Sequence, residues 1–254
     1  MRAFYSAKEK IGRYIYLLFK KRIFLKSAYG PLLKYSVDKT YRLSLYGQYG
    51  DRVMTELEGI HDNDMFLDIG ANTGLFSIVA AKAGKDVKVF SWEPNKTIFP
   101  LLMHNIIRNG CVNIVPFNAA ISDVDGEVSF TSVEKHSGKS HISTEETTGK
   151  VLSLSKKSLE FLSSMAFHEC IIKIDVEGAE FRVLCQLEEF FKNHADRCKI
   201  IVEINDEHLH RFDNTRQEIV DYLSGFGFEP KYKEEKSHYD EVFECSRGKK
   251  DRAA

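Results

Sequence analysis

The 254-residue chain has no apolar run near the ~18 residues that a membrane-crossing helix needs. No short apolar segment precedes a small-residue cleavage site, so no secretory leader is expected. Its five cysteines, Cys111, Cys170, Cys185, Cys198 and Cys245, form no Cys-x-x-Cys pair. Thiols so spaced are expected to be packed and reduced in a cytoplasmic protein. There is no internal repeat and no Gly-x-Gly-x-x-Gly, which weighs against a dinucleotide pyrophosphate site. The glycine turn at 70–74 is not followed by Gly-Lys-Ser/Thr, so a Walker-type phosphate loop is not expected there. The Asn/Asp-Pro-Pro-Tyr/Phe signature of amino-group methylation on nucleobases is missing too.

Charge is plentiful but uneven. Net charge is −1, yet residues 1–35 hold nine Lys/Arg against the single acid Glu9. That segment therefore carries +8 and residues 36–254 carry −9. An acidic body argues against a nucleic-acid partner. Within the basic segment Ile11, Ile15, Leu18 and Phe19 keep helical spacing. A peripheral helix on an anionic membrane face is one reading, at roughly 1 kcal/mol per basic residue. A solvated helix packed on the domain is the other. The chain is thus divided into a basic helical segment, 1–45, and a catalytic domain, 46–254. The latter is expected in the cytoplasm, at the inner face of a membrane if the first reading holds.

From residue 64 onward, short apolar strands alternate with amphipathic stretches. Strands are expected at Met65–Ile69, Val87–Trp92, Val112–Phe117, Cys170–Ile174 and Lys199–Ile204, with two late ones at Phe226–Tyr232 and Tyr239–Cys245. Helices are expected at Gly74–Ala83, Lys96–Asn109, Ser158–Ala166, Ala179–Asn193 and Thr215–Ser224. Pro100 is tolerable only near a first turn, so the second helix should start late. Val124-Asp125-Gly126-Glu127 before Val128-Ser129-Phe130 reads as a hairpin. Residues 132–150 read as a long mobile loop of the kind that covers a site. Strands separated by helices imply an α/β fold with a mostly parallel sheet, and the short link between the last two strands requires one to run antiparallel.

The stretch FLDIGANTGLFSI, 66–78, carries the chemistry. An apolar run reaches Asp68 and then turns through Gly70, Asn72 and Gly74 into a helix. Glycines admit a close ligand, and a helix start offers free N–H groups. Glu93 follows Gly74 by 19 residues and closes the next strand, where an acid can accept from a ribose diol. An Asp before the turn repels pyrophosphate but suits a cationic amino-acid group. S-adenosylmethionine (SAM) has that group, has a ribose and has no phosphate.

FLDIGANTGLFSIVAAKAG, VFSWEPNKTIF, HNIIRNG, VPFNAAISDVDGEVSF and IIKIDVEGAEFRVL occur in one order over about residues 46–205. Together they resemble the FkbM family of SAM-dependent methyltransferases, IKIDVEGAE most specifically. The resemblance implies a class I methyltransferase (Rossmann-like) fold: a seven-stranded, mostly parallel sheet with an antiparallel last strand and helices on both faces. It implies O-methylation of a sugar, glycan or polar secondary metabolite, with SAM as the cofactor. Asp68, Gly70, Ala71, Asn72 and Gly74 would line the methionine end. Glu93, with Pro94, would hold the ribose, and Asn95 would lie near the adenosine. Asn118, Ala119, Ala120 and Ser122, with Asp123, would cradle adenine. Asp175 would face the sulfonium and the acceptor.

Asp175 and Glu203 are the candidate bases, each ending a central strand; His208 ranks behind them and His210 lower. No metal is assigned, although Asp175, Asn205 and Asp206 could imitate the oxygen ligands of a catechol-type site. Where many relatives show Thr-Leu-Asp, this chain has Ser153-Leu154-Ser155, and Ser155 is expected to take over as helix cap. Two other functions compete: a NAD-linked oxidoreductase, disfavoured by Asn72 and Leu75, and a non-catalytic SAM-binding scaffold docked on a membrane. The acceptor and the oligomeric state are not encoded legibly.

Overall fold

The computed structural model describes residues 23–143 and 149–246. Strands β1 (Phe24–Lys26) and β2 (Leu32–Lys34) form an antiparallel hairpin. Helix α1 (Lys39–Tyr46) starts on Asp38, whose carboxylate accepts from the Tyr41 N–H, and stops at the left-handed Gly47. Helix α2 (Asp51–Leu57) leads into β3 (Met65–Ile69), α3 (Leu75–Ala83), β4 (Lys88–Trp92), α4 (Phe99–Arg108) and β5 (Ile114–Phe117). Pro100 sits in the first turn of α4, which accounts for its late start.

Next comes a small sheet. It is built from β6 (Ala120–Ile121), β7 (Gly126–Thr131), β8 (His141–Ile142) and β9 (Gly149–Leu154), in the order β6-β9-β7-β8. The chain then returns through α5 (Lys156–Leu159), β10 (Cys170–Ile174), α6 (Glu180–Gln186), α7 (Glu188–His194) and β11 (Cys198–Asn205). It finishes with α8 (Asp206–Leu209), α9 (Arg216–Gly225), β12 (Phe228–Pro230) and β13 (His238–Cys245). Thr215 and Glu218 cap α9 reciprocally.

The main sheet has seven strands in the order β12-β13-β11-β10-β3-β4-β5. All pairings from β11 to β5 are parallel, and β13 runs antiparallel between β11 and β12. This is the class I methyltransferase fold. Strands β3 and β10 are buried along their whole length because both sheet faces are covered. One face packs Leu67, Ile69, Ile172 and Ile174 against Val183, Leu184, Phe190, Ile219 and Leu223 of α6, α7 and α9. The other packs Phe66, Val89, Ile171 and Ile201 against Tyr41, Leu45, Val53, Leu75, Ile78 and Leu102 of α1 to α4. Each such side chain contributes roughly 1.5–3 kcal/mol of burial.

Several expectations need correction. Residues 23–45 are no separate helical segment: they form β1, β2 and α1, and Leu33, Tyr35, Tyr41 and Leu45 share the core with Phe66 and Leu75. The helical spacing at Ile11, Ile15, Leu18 and Phe19 lies outside the described residues. Val124–Phe130 is not a self-contained hairpin, since β7 pairs with the distant β8 and β9. Asp125 instead anchors α5. Its carboxylate accepts from the Ser155 N–H (2.6 Å), the Ser155 hydroxyl (2.8 Å) and the Ser158 hydroxyl (2.9 Å), so Ser155 stands at the N-cap position but its hydroxyl does not accept the cap bond. The expected loop 132–150 contains β8 and the start of β9. The helix expected at Ser158–Ala166 is α5 followed by a 3-10 turn at Glu160–Ser164. The single helix expected at Ala179–Asn193 breaks at Leu187, where a tightened turn leaves both Phe190 and Phe191 buried. Among the described residues, no helix is long and apolar enough to cross a membrane.

Candidate active site

Neighbouring β3 and β10 send their connections to opposite sides of the sheet. Such a switch point opens a crevice beyond the strands' carboxyl ends. A cavity of about 310 Å³ lies there, lined by the ends of β3, β4, β10 and β11 and by residues of the small sheet.

One half is a rigid turn. Gly70 has φ +84°, and a Cβ on it would lie 1.8 Å from the Asp175 carbonyl oxygen, so no other residue fits. The Gly70 and Ala71 N–H groups donate to the Trp92 carbonyl at 3.0 and 2.9 Å, tying the turn to β4. Asn72, at φ +49°, donates its backbone N–H to Glu93 Oε2 at 2.8 Å. The Asn95 N–H donates to Glu93 Oε1, also at 2.8 Å. Both oxygens of a 6% exposed carboxylate are therefore fixed by backbone donors. Burial still outweighs those bonds and pushes the Glu93 carboxyl up to about 7. Trp92, Pro94, Ala119, Ala120 and Ile121 add a largely apolar wall beside it.

Not every expected donor-site residue reaches the cavity. Gly70, Asn72, Glu93, Pro94, Ala119, Ala120 and Asp175 do. Asp68 does not: it is fully buried, accepts from the Ser77 N–H and hydroxyl, and pairs with Lys173 at 3.4 Å. Gly74 lies behind the turn, where a Cβ would come within 2.4 Å of Leu102. Ala71, Asn95, Asn118 and Ser122 also act from behind. The Asn118 amide donates to the Glu93 and Pro94 carbonyls at 2.8 and 3.2 Å, and Ser122 bonds Ser153 at 2.6 Å.

The other half is ionic. Asp175 accepts from the Tyr49 hydroxyl at 2.8 Å and lies 3.5 Å from Lys173 Nζ. Burial disfavours the Lys173 ammonium, but Asp175 and Asp68 more than offset it and hold it charged. Glu203 reaches the cavity from β11, with Oε1 2.9 Å from His238 Nε2. Glu177 stands opposite, its Oε2 2.9 Å from His208 Nδ1. Burial, then the Asp175 charge, raises both glutamates above the usual carboxylate range. Burial lowers His208, whereas the bond to Glu203 raises His238. The catechol-like set does not assemble: Asp206 pairs with Arg216 at 2.8 Å, and Asn205, though it lines the cavity, caps α8 through the His208 N–H. His210 is exposed and outside the cavity.

The segment after β7 covers the cavity and is pinned on two sides. The Ser137 N–H and hydroxyl donate to Asp38 at 2.7 and 3.0 Å, and the Gly138 N–H donates to Thr40 at 2.8 Å. The Asn72 amide donates to the Ser137 hydroxyl at 3.0 Å, and the Asn95 amide to Ser132 and Ser140.

Residues 23–242 match the family model described as Vibrio cholerae RfbT protein. The chain belongs to the RfbT family. Comparison with curated proteins gives no match. Among solved structures, the RfbT-family chain is similar to a SAM dependent methyltransferase from Aquifex aeolicus: 12% identity over 83% of this chain and 97% of that one, TM-score 0.47. It is similar to precorrin-6y C5,15-methyltransferase from Geobacter metallireducens, at 11% identity over 77% and 86%, TM-score 0.44. An rRNA methylase from Streptococcus thermophilus aligns at 10% identity over 74% and 91%, TM-score 0.43.

Four residues of the RfbT-family site escaped the reading of the sequence as functional groups. Tyr49, Glu177 and His238 carry no local signal of a shared cavity. Lys173 does: a lysine inside the apolar run Cys170–Ile174 must find buried carboxylates, and it finds Asp68 and Asp175.

Proposed function

We propose that this chain is a SAM-dependent methyltransferase that moves a methyl group to a hydroxyl of a sugar, a glycan or another polar metabolite. The observation that carries the reading is Glu93. Its carboxylate is oriented by two backbone N–H groups at the rim of a cavity beside the Gly70–Asn72 turn, and its remaining lone pairs suit a ribose diol. The donor supplies an activated methyl on a cationic sulfur. The chain supplies position, worth about 7–11 kcal/mol when the acceptor oxygen sits in line. Asp175, steadied by Tyr49 and Lys173, takes the proton that the hydroxyl loses as its oxygen bonds the methyl carbon and the carbon–sulfur bond breaks. The FkbM resemblance supports a hydroxyl acceptor, and the polar cover formed by Ser137, Ser140 and His141 suits a sugar.

Calorimetry tests the donor half: SAM and S-adenosylhomocysteine should bind one per chain, and NADH should not. Asp175→Asn tests the chemistry. Turnover with a hydroxyl acceptor is expected to fall roughly 10²–10⁴-fold with S-adenosylhomocysteine affinity nearly unchanged. Unaltered turnover would remove Asp175 as the proton acceptor, and absence of donor heat would sink the reading as a whole.

A further inference from the structure

We propose that Glu177, Glu203 and His208 form a divalent-cation site at the acceptor end of the cavity, suited to a first-row ion such as Mn²⁺. One ligand atom from each, two carboxylate oxygens and an imidazole nitrogen, lies within 4.8 Å of the others. A cation with bonds of about 2.1 Å needs neighbouring donors about 3 Å apart and opposite ones about 4.2 Å apart. His208 Nδ1 and Glu177 Oε2 are 2.9 Å apart, yet their alignment makes no hydrogen bond. Glu177 Oε2, Glu203 Oε2 and His208 Nδ1 are all buried atoms without a hydrogen-bond partner. These are the atoms that a shared ion would satisfy. Buried polar atoms without a hydrogen-bond partner are costly, and three of them on the side chains of this cluster favour an occupant.

The scaffold brings these groups together at a conformational cost. Glu177 is held at φ +61°. Gly178 follows at φ +117°, so close to α8 that a Cβ would lie 2.3 Å from the His208 carbonyl oxygen. Glu180, buried, accepts from the Val176 and Gly178 N–H groups at 3.1 and 3.0 Å and fixes this bend. Backbone strain of that kind persists where surroundings enforce it, as at ligand sites. His238 bonds Glu203 Oε1 and leaves Oε2 without a hydrogen-bond partner, the kind of outer-shell support that ligating carboxylates have. Among the described residues, no lysine or arginine is ion-paired to Glu177 or Glu203. An imidazole with two carboxylates favours first-row ions over Mg²⁺ and Ca²⁺, which take oxygen alone. If the methyl-transfer reading holds, an open coordination position would take the acceptor hydroxyl oxygen and ease its proton loss to Asp175.

The test is a titration of metal-stripped full-length protein with Mn²⁺, read by the electron paramagnetic resonance of the free ion. One ion per chain is expected. Glu203→Gln and His208→Gln should each weaken binding at least roughly tenfold. Pulsed resonance on the unsubstituted protein should show coupling to one imidazole nitrogen, which holds the test even if a variant misfolds. No binding up to about 1 mM Mn²⁺, no nitrogen coupling, or equal binding in the variants would overturn the site. Donor calorimetry separates the two proposals: Mn²⁺ bound without S-adenosylhomocysteine heat keeps the cation site and removes the methyltransferase.

Discussion

Glu93 is the residue whose ionisation should be visible in binding. Burial raises its carboxyl to about 7, above the ordinary value of 4.5. The unfolded chain loses that proton first, so the apo fold loses stability as pH rises from about 4.5 through about 7. Donor binding moves the opposite way. Ribose hydroxyls donate to the ionised form, so S-adenosylhomocysteine should bind more tightly as pH rises, by roughly tenfold per unit below about 7, and level off above it. Calorimetry at pH 6 in buffers of different ionisation enthalpy should record protons released on binding. Glu93→Gln should flatten the profile and weaken binding roughly 10–100-fold, since it loses a charged acceptor and turns an amide N–H toward the Asn72 or Asn95 N–H. A pH profile unchanged in Glu93→Gln would show that another group titrates.

At the scale of elements, the Asp175-Val176-Glu177-Gly178-Ala179-Glu180 bend decides whether β10 and α8 present a common site. Gly178→Ala combines a left-handed backbone with a Cβ 2.3 Å from the His208 carbonyl oxygen. It should cost at least about 2 kcal/mol, lowering the melting temperature by roughly 4–8 °C for a chain of this size. S-adenosylhomocysteine affinity should suffer less than stability, because the Gly70–Asn72 turn and Glu93 stand on other elements. Melting by circular dichroism beside donor calorimetry checks both. The same scale shows what the sequence could reveal. Strands β3, β4, β10 and β11 were legible because burial on both faces makes most of their residues apolar. The glycine bend and Glu93 were legible because chain spacing fixes both. The small sheet was not: β7 pairs with β8 and β9, and nothing in its own period names them. Asp68 misled because an acid beside a glycine turn reads alike whether it faces a ligand or a buried lysine. Only the register that places Lys173 beside it decides.

For the whole molecule, the question is where the folded unit begins. Charge changes sign after residue 35 and the FkbM resemblance begins near residue 46, which together put a boundary at 45/46. Packing contradicts it. The Asn109 side chain accepts from the Leu32 N–H at 2.9 Å and donates to its carbonyl at 2.7 Å, and Asn105 accepts from the Lys34 N–H at 2.7 Å. Leu33, Tyr41 and Leu45 are wholly buried against the helices of one sheet face. Asp38 and Thr40 hold the segment that covers the cavity. Removing residues 1–46 deletes three buried anchors, each worth roughly 1.5–3 kcal/mol, which together rival the 5–15 kcal/mol stability of a typical domain. A chain starting at residue 47 should therefore fail to melt cooperatively and bind no donor. A chain starting at residue 23, where the family match begins, should melt as the full chain does and keep S-adenosylhomocysteine affinity within about twofold. Because those two truncations bracket the hairpin and α1, cooperative melting of the shorter one would move the edge of the catalytic unit back to residue 45, and loss of donor binding by the longer one would place part of the site ahead of residue 23.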